Sequence, residues 1–132
     1  MNKASNRGPN LFLVIIRRIL SILCEFRSSE IFLGKKAQDI ALLGLIYSNK
    51  GNEEKAIEYF REAVRLNPWK ILNHYNLGLT LSFLKRHSEA ISEFNYIIRW
   101  DPKFASKNEV PETVTKLKII SAAYADKIAV GD

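Results

Sequence analysis

Residues 43–68 read LGLIYSNKGNEEKAIEYFREAVRLNP, and residues 77–102 read LGLTLSFLKRHSEAISEFNYIIRWDP. The two stretches are offset by 34 residues and share nine identical positions without a gap. In the first stretch these positions are Leu43, Gly44, Leu45, Ser48, Ala56, Ile57, Phe60, Arg65 and Pro68. A period of 34 residues is typical of repeats made of two antiparallel helices, which bury their apolar faces by stacking on neighbours. The sequence therefore predicts an all-α fold, a short right-handed solenoid of two helical hairpins.

Turn-forming residues divide the repeated segment into four helices. Gly51 can adopt the left-handed conformation with which many helices end, and Asn52 directly after it is a preferred helix cap. Pro68 and Pro102 disfavour helical geometry in the residue before them, so a helix should end ahead of each. Ser88 is the expected cap of the fourth helix. The predicted helices span residues 37–50, 53–66, 69–84 and 88–100.

The N-terminal flank does not follow the repeat. Residues 1–10 are polar and contain a Gly-Pro pair, which predicts a disordered lead-in. Residues 11–26 carry apolar side chains at helical spacing with arginines opposite them, which predicts an amphipathic helix capped by Asn10. A connector is expected at residues 27–36, with a serine-capped short turn that Gly34 would break.

The C-terminal flank, residues 105–132, is predicted to be a loop followed by a capping helix. Pro111 is well suited to the first turn of that helix, which should end near Ala129. One face of it carries Val114, Leu117, Ile120, Tyr124 and Ile128. Because only two repeats are present, the end of the solenoid needs such a helix to cover its apolar side.

Residues 37–104 resemble two tetratricopeptide repeats, at 37–70 and 71–104. The family pattern is an aromatic residue followed by Leu-Gly, Tyr, Ala, Phe, Ala and Pro at fixed spacing. The first repeat supplies Ile40, Leu43, Gly44, Tyr47, Ala56, Phe60, Ala63 and Pro68. The second supplies His74, Leu77, Gly78, Leu81, Ala90, Phe94, Ile97 and Pro102. The resemblance covers about half of the chain and implies a helical solenoid that binds other proteins.

The matching residues have packing roles. Gly44 and its counterpart in the second repeat are expected to let the two helices of a hairpin approach closely, with Ala56 facing the glycine. Phe60 should fill the space between successive hairpins. The second repeat departs from the pattern at His74, which replaces an aromatic residue, and at Ile97, where a small residue is usual. The bulk of Ile97 is expected to widen the junction with the final helix.

In the family, the first helix of each hairpin lines a concave groove that binds partners. By the match, the groove is lined by Gln38, Ala41, Leu42, Leu45, Asn49, Leu72, Tyr75, Asn76, Leu79, Ser82 and Phe83. Family members that clamp the C-terminal carboxylate of heat-shock chaperones carry Lys and Asn at the places of Ala41 and Leu45, so a chaperone-tail receptor is disfavoured. A groove of Leu, Tyr and Phe instead suits an apolar or amphipathic helix.

The net charge of +6 is concentrated at the N-terminus. Residues 1–36 hold seven basic and two acidic side chains, whereas residues 37–104 hold nine basic and eight acidic. Residues 105–132 hold four of each. A solenoid that binds nucleic acid would spread a basic stripe along its repeats. We therefore expect protein partners and no nucleic acid.

The basic arm and its connector, residues 11–36, have two remaining interpretations. A membrane span needs about 20 apolar residues, and the Arg17-Arg18 pair interrupts the apolar run and makes it too short for a secretory signal. The arm is then an amphipathic helix that contacts an anionic membrane or a membrane complex, or a helix that packs within its own chain, for instance in its own groove. The expected contact residues are Leu11, Phe12, Arg17, Arg18 and Arg27.

Catalytic and metal chemistry find no support in the sequence. His74 and His87 have no second ligand at metal spacing, and no Ser, Cys or Asp arrangement suggests a triad. We expect no enzyme activity and no cofactor. Cys24 is the single cysteine, which excludes an internal disulfide and fits a reducing compartment, the cytoplasm or an organelle stroma. There the chain would be free or peripheral at a membrane.

The expected function is that of a non-enzymatic protein–protein interaction module, an adaptor, scaffold or assembly factor. Its groove would bind a helical or extended segment, and its arm would dock it to a membrane or a membrane complex. The alternative is a structural subunit that is permanently bound in a larger complex.

Overall fold

The computed structural model describes residues 10–131, and every regular element in that range is an α-helix. The helices are α1 (Leu11–Asn49), α2 (Glu53–Leu66), α3 (Ile71–Phe83), α4 (His87–Trp100), α5 (Pro102–Lys107) and α6 (Val110–Val130). Each of the first four packs on the next, while α6 packs on α4 and α5. The predicted all-α solenoid of two hairpins is confirmed. The predicted lead-in lies outside the described residues, except for Asn10.

The turn inside each hairpin uses one left-handed residue. Gly51 has a φ of 74°, as its position at the end of α1 predicts. Asn52 accepts a hydrogen bond from the backbone N–H of Lys55 at 3.3 Å and so caps α2, as predicted. The position equivalent to Gly51 in the second repeat is Lys85, whose φ of 61° is also left-handed. The second turn therefore has the backbone of the first without its glycine.

The predicted connector at residues 27–36 is wrong, because α1 runs without a break from Leu11 to Asn49. Gly34 lies inside α1, where glycine costs only about 1 kcal/mol relative to alanine, and the segment contains no proline. Ser28, an expected cap, donates its hydroxyl to the carbonyl of Cys24 at 2.9 Å, which is the bond of a serine within a helix. The arm is therefore a direct extension of the first repeat helix.

Two other boundaries differ from the prediction. Ser88 does not cap α4, which begins one residue earlier and follows Arg86, whose side chain makes no capping hydrogen bond. The loop predicted from residue 105 begins inside α5. That helix forms because Asp101 accepts a hydrogen bond from the backbone N–H of Phe104 at 2.9 Å and Pro102 occupies its first turn.

Each hairpin is closed by a phenylalanine ring packed on a glycine. A Cβ added to Gly44 would lie 2.7 Å from the ring of Phe60, and one added to Gly78 would lie 2.7 Å from the ring of Phe94. The predicted close approach at the glycines is thus correct. The three atoms nearest to such a Cβ at Gly44 all belong to the ring of Phe60, and Ala56 is fully buried in the same hairpin.

The first two turns of α6 cover the end of the solenoid. Val110, Val114 and Leu117 are buried in the same apolar cluster as Ile97, whose exposed fraction is 0%. Ile97 is therefore closely packed at this junction. Beyond Leu117 every described residue of α6 is exposed, although the ring centroid of Tyr124 still lies 6.5 Å from that of His87. The exposed apolar side chains there are Ile119, Ile120, Tyr124, Ile128 and Val130.

Candidate partner-binding surfaces

The predicted groove has an apolar row on α1 and α3, the first helices of the two hairpins. The row consists of Leu42, Leu45, Leu72, Leu79 and Phe83, which are 42% to 72% exposed. Leu45 and Leu79 are equivalent positions of the two repeats, so repeat symmetry places them on the same side of the solenoid. A contiguous apolar row of this kind is one that monomeric proteins seldom leave bare.

The other predicted groove residues differ in burial. Gln38 and Asn49 are exposed, and Asn76 is half-buried. Ala41 is only 9% exposed, so it offers a partner little surface. Ser82 is half-buried, and its hydroxyl oxygen has no hydrogen-bond partner among residues 10–131.

Tyr75 connects the groove to the core. Its ring centroid lies 6.3 Å from that of Phe94 and 5.4 Å from that of Phe104, which it meets edge to face. Phe104 belongs to α5, so the sequence analysis missed this contact when it predicted a loop. The helix-start signal that could have revealed it is the pair Asp101-Pro102. Tyr75 is therefore a packing residue as well as a groove residue.

A hydrogen-bonded cluster joins α3 to α4 and to the turn before α3. His74 is 5% exposed, with its Nδ1 2.7 Å from Oε2 of Glu93 and its Nε2 2.9 Å from the carbonyl oxygen of Pro68. Its ring stacks on that of Tyr96, whose hydroxyl donates to the same carbonyl at 2.8 Å. Both ring nitrogens are thus engaged in packing the repeats. Among residues 10–131, no three His, Cys, Asp or Glu side chains are grouped to hold a metal ion.

Ion pairs join the two repeats through α2 and α4. Glu89 accepts hydrogen bonds from Arg61 at 2.5 Å and from Arg86 at 2.7 Å. The hydrogen bond and the positive charge of Arg86, followed by the charge of Arg61, hold the pKa of the Glu89 carboxyl below its ordinary value. All three side chains are at least a third exposed, so water screens these pairs.

The arm projects from the repeats with nearly all of its surface exposed. The predicted contact residues Leu11 and Phe12 are 72% and 66% exposed, and Arg17, Arg18 and Arg27 are exposed as well. Because the arm continues α1, it does not fold into the groove that begins on the same helix. The hypothesis that it packs within its own chain is therefore wrong. In the described part of the chain, no helix combines the length and the hydropathy needed to cross a bilayer.

A notch of about 440 Å³ opens where the arm leaves the repeats. It is bounded by Ile31, Leu33 and Gly34 of α1 and by residues 66–69 of the turn between α2 and α3. Trp69 at its edge is 72% exposed. The sequence analysis did not identify this notch, because it placed a connector where α1 is continuous.

Comparison with known proteins identifies the repeats. Residues 40–68 and 73–104 match the family profile described as Tetratricopeptide repeat. An uncharacterized protein of Methanocaldococcus jannaschii is 43% identical over 56 residues, which cover 42% of this chain and 65% of that protein. The Photosystem I assembly protein Ycf3 of Acaryochloris marina is 34% identical over 53 residues, covering 40% of this chain and 32% of that protein.

A protein O-mannosyl-transferase of Caenorhabditis elegans is 31% identical over 61 residues, covering 46% of this chain and 9% of that protein. The chain thus spans less than two thirds of the length of each of these relatives. The similarity is confined to a segment of about the size of the two repeats.

Proposed function

Since residues 40–68 and 73–104 are tetratricopeptide repeats, we propose that this protein is a non-enzymatic adaptor or assembly factor that binds a protein partner in its groove. The observation that carries the proposal is the exposed apolar row on α1 and α3, from Leu42 to Phe83. These side chains add little to the folded core and would lose contact with water when a partner covers them. The similarity to a Photosystem I assembly protein supports a role in assembling a membrane complex.

The partner that suits this groove is an apolar or amphipathic helix. No predicted groove residue is charged, and the row is bordered by the amides Gln38, Asn49 and Asn76. A carboxylate or a phosphate would find no cation in such a groove, whereas the apolar stripe of a helix would be desolvated along it. A protein segment, rather than nucleic acid, is therefore the ligand that we propose.

The arm would dock the repeats to a membrane surface or to a membrane protein complex in a reducing compartment. Arg17, Arg18 and Arg27 are exposed, and each contributes on the order of 1 kcal/mol near an anionic bilayer. Replacing all three with Glu should abolish sedimentation with anionic liposomes and leave the circular dichroism of the repeats unchanged. If the unmodified protein ignores such liposomes even at low salt, the docking contact is made with a protein.

The groove is tested by a double variant, Leu79→Ser with Phe83→Ser, and a matched control, Ile128→Ser. All three side chains are exposed, so each substitution should change stability by no more than about 0.5 kcal/mol. Affinity capture from a native extract should lose the partner with the groove variant and retain it with the control. Capture that survives the groove variant would reject the groove as the binding surface. A chain that is recovered only within a complex would favour the permanently bound subunit.

A further inference from the structure

The arm carries a second pattern, with a period of seven residues. Phe12, Ile19, Phe26 and Leu33 lie seven residues apart, and Ile15 and Ile22 lie between them with the same period. In the notation a to g these are the a and d positions of three successive heptads, with Ser29 as the last d, and Leu33 is the a position that begins a fourth. We call this set the arm seam. Apolar a and d positions sustained over about three heptads are the pattern by which helices pair in a coiled coil.

The arm seam is uncovered. Its six apolar side chains are 37% to 66% exposed, from Leu33 to Phe12. They lie along α1 ahead of the repeats, and Leu33, the last of them, borders the notch formed with residues 66–69. An isolated helix gains most of its stability by packing an apolar face. A helix of the same length is therefore needed to cover the seam.

We propose that the arm pairs antiparallel with the arm of a second copy of this chain, in a two-fold symmetric dimer. In an antiparallel pair, each a residue lies level with a d residue of the other helix. Ile19 then meets Ile22 of the second copy, and Ile15 meets Phe26. Phe12 meets Ser29, whose small side chain leaves room for the ring. Two-fold symmetry repeats every one of these contacts.

The charges beside the seam select the second copy and its direction. Positions e and g flank the seam, and antiparallel pairing sets g against g and e against e. Arg18 at g then faces Glu25 of the second copy, and the contact occurs twice by symmetry. At e, Ile16 faces Leu23, also twice. Opposite charges and apolar pairs coincide in this arrangement, which is the complementarity that fixes partner and orientation in coiled coils.

Parallel pairing of the two arms would not bring opposite charges together. It would set each g residue against the e residue five positions further along the second helix. Glu25 would then face Glu30 twice, and Arg18 would face Leu23 twice. Like charges at these positions destabilise a pair, so the sequence of the arm disfavours parallel pairing.

The repeats leave space for the second arm. The e positions of the arm continue along α1 to Ala37 and Gly44, which are buried on the face that packs on α2. A helix on the seam would therefore occupy, along the arm, the side that α2 occupies along the repeat. In this register Leu11 of the second copy lies level with Glu30, at the notch bordered by Leu33 and Trp69. The notch would accept the end of the second arm.

The dimer is compatible with the proposed docking and does not depend on the groove's partner. Arg17 and Arg27 lie at f and b, away from the seam, and stay exposed when the arms pair. They can therefore still face an anionic surface. The competing occupant of the seam is lipid, which would take the apolar side chains themselves.

The test is sedimentation equilibrium of the full chain over a wide concentration range. Arg18→Glu and Glu25→Arg should each weaken the dimer roughly tenfold, because each turns two attractions into two repulsions. The double variant with both substitutions exchanges the charges and should return the dissociation constant to near that of the unmodified chain. Arg17→Glu makes the same charge change one residue away and should leave the dimer intact while it weakens binding to anionic vesicles.

Three results would overturn the proposal. The first is a chain that stays monomeric at every concentration. If its binding to vesicles of equal phosphatidylcholine and phosphatidylglycerol also falls equally with Arg17→Glu and Arg18→Glu, the seam faces lipid. The second is a tighter dimer with Glu25→Arg, which only parallel pairing explains. The third is a dimer that ignores Arg18→Glu, which would place the contact outside the arm.

Discussion

Replacing Gly78 by alanine tests whether the contact between α3 and α4 depends on the absence of a side chain. The new Cβ would lie 2.7 Å from Cε1 and 3.0 Å from Cζ of Phe94, whereas carbon atoms in ordinary contact are roughly 3.5–4.0 Å apart. Phe94 is 0% exposed, so its ring has no solvent into which it can withdraw. Overpacking of a filled core typically costs about 1–3 kcal/mol.

Alanine also favours the helix over glycine by about 0.8–1.0 kcal/mol, which offsets part of the clash. We therefore expect Gly78→Ala to lower the free energy of unfolding by up to about 2 kcal/mol. Gly34 is the matched control, because it lies inside α1 and a Cβ there meets only Nδ2 of Asn67, at 3.7 Å. Gly34→Ala gains the propensity without the clash, so it should be neutral or stabilising by up to about 1 kcal/mol.

The stability of both variants is measured by urea unfolding. Far-UV circular dichroism and the fluorescence of Trp69 and Trp100, whose rings lie 6.1 Å apart, monitor the transition. A double-mutant cycle with Phe94→Leu identifies the clashing group, since Gly78→Ala should cost less when the ring is gone. A Gly78→Ala midpoint at or above that of the unmodified chain would refute the reasoning. Strict additivity in the cycle would show that the ring is not the obstacle.

Three further predictions concern the second turn, the cap and the ion pairs. Lys85→Gly should raise the free energy of unfolding by about 1 kcal/mol, and with it the urea midpoint, because the φ of 61° strains an L-residue. Gly51→Ala, at a φ of 74°, should lower the urea midpoint. A shift of the same sign for both variants would contradict this reasoning. Deleting residues 105–132 should cause unfolding or aggregation, at roughly 1.5–3 kcal/mol per large side chain uncovered. Deleting residues 125–132 should leave the melting temperature unchanged, because residues 125–131 are exposed, and thermal scans with light scattering measure both variants. Because the pKa of Glu89 is lowered in the folded state, its ion pairs stabilise the fold above its unfolded pKa, and this stabilisation is lost as the pH falls through the folded pKa. Glu89→Gln should therefore lower the urea midpoint at about pH 7 but not at about pH 3. An equal difference at both pH values would count against this prediction.

The repeats were predictable because their signals are local. Gly51 and Asn52 define the first turn through backbone conformation and capping, which depend on a few neighbouring residues. Pro68 sets the end of α2 through its effect on the preceding residue. The period of 34 residues then transfers these boundaries to the second repeat, even where Lys85 replaces the glycine.

The continuity of α1 was not predictable from Gly34 alone. Ending a helix leaves up to four carbonyl groups without partners, and a break needs capping groups that satisfy them. Continuing through one glycine costs only about 1 kcal/mol, which the flanking helix formers can offset. The rule that glycine ends helices holds where a left-handed residue is required, as at Gly51, and not at Gly34.

The sequence predicted which side of the solenoid carries the groove, but not how deeply each groove residue is buried. Repeat symmetry locates Leu45 and Leu79 on one side of the solenoid, and both are exposed. The burial of Ala41 depends on how closely α2 approaches, and the packing of Tyr75 depends on Phe104 of α5. Such contacts arise from helices distant in sequence or unrecognised in it, so no local pattern encodes them.

The continuity of α1 also fixes the position and the orientation of the groove relative to the arm. Residues of one α-helix rise 1.5 Å each, so Leu20 of the arm and Leu45 of the groove are held about 38 Å apart in a fixed rotational relation. A flexible connector would have left the groove free to turn, whereas docking of the arm now sets the direction in which the groove faces. In the proposed dimer the two-fold axis passes between Leu20 and Ser21, which places the two grooves at opposite ends of the paired arms, about 70 Å apart along them. One short helical ligand cannot reach both, so a dimer built in this way would hold two partner molecules at once, at a separation set by the length of a single helix.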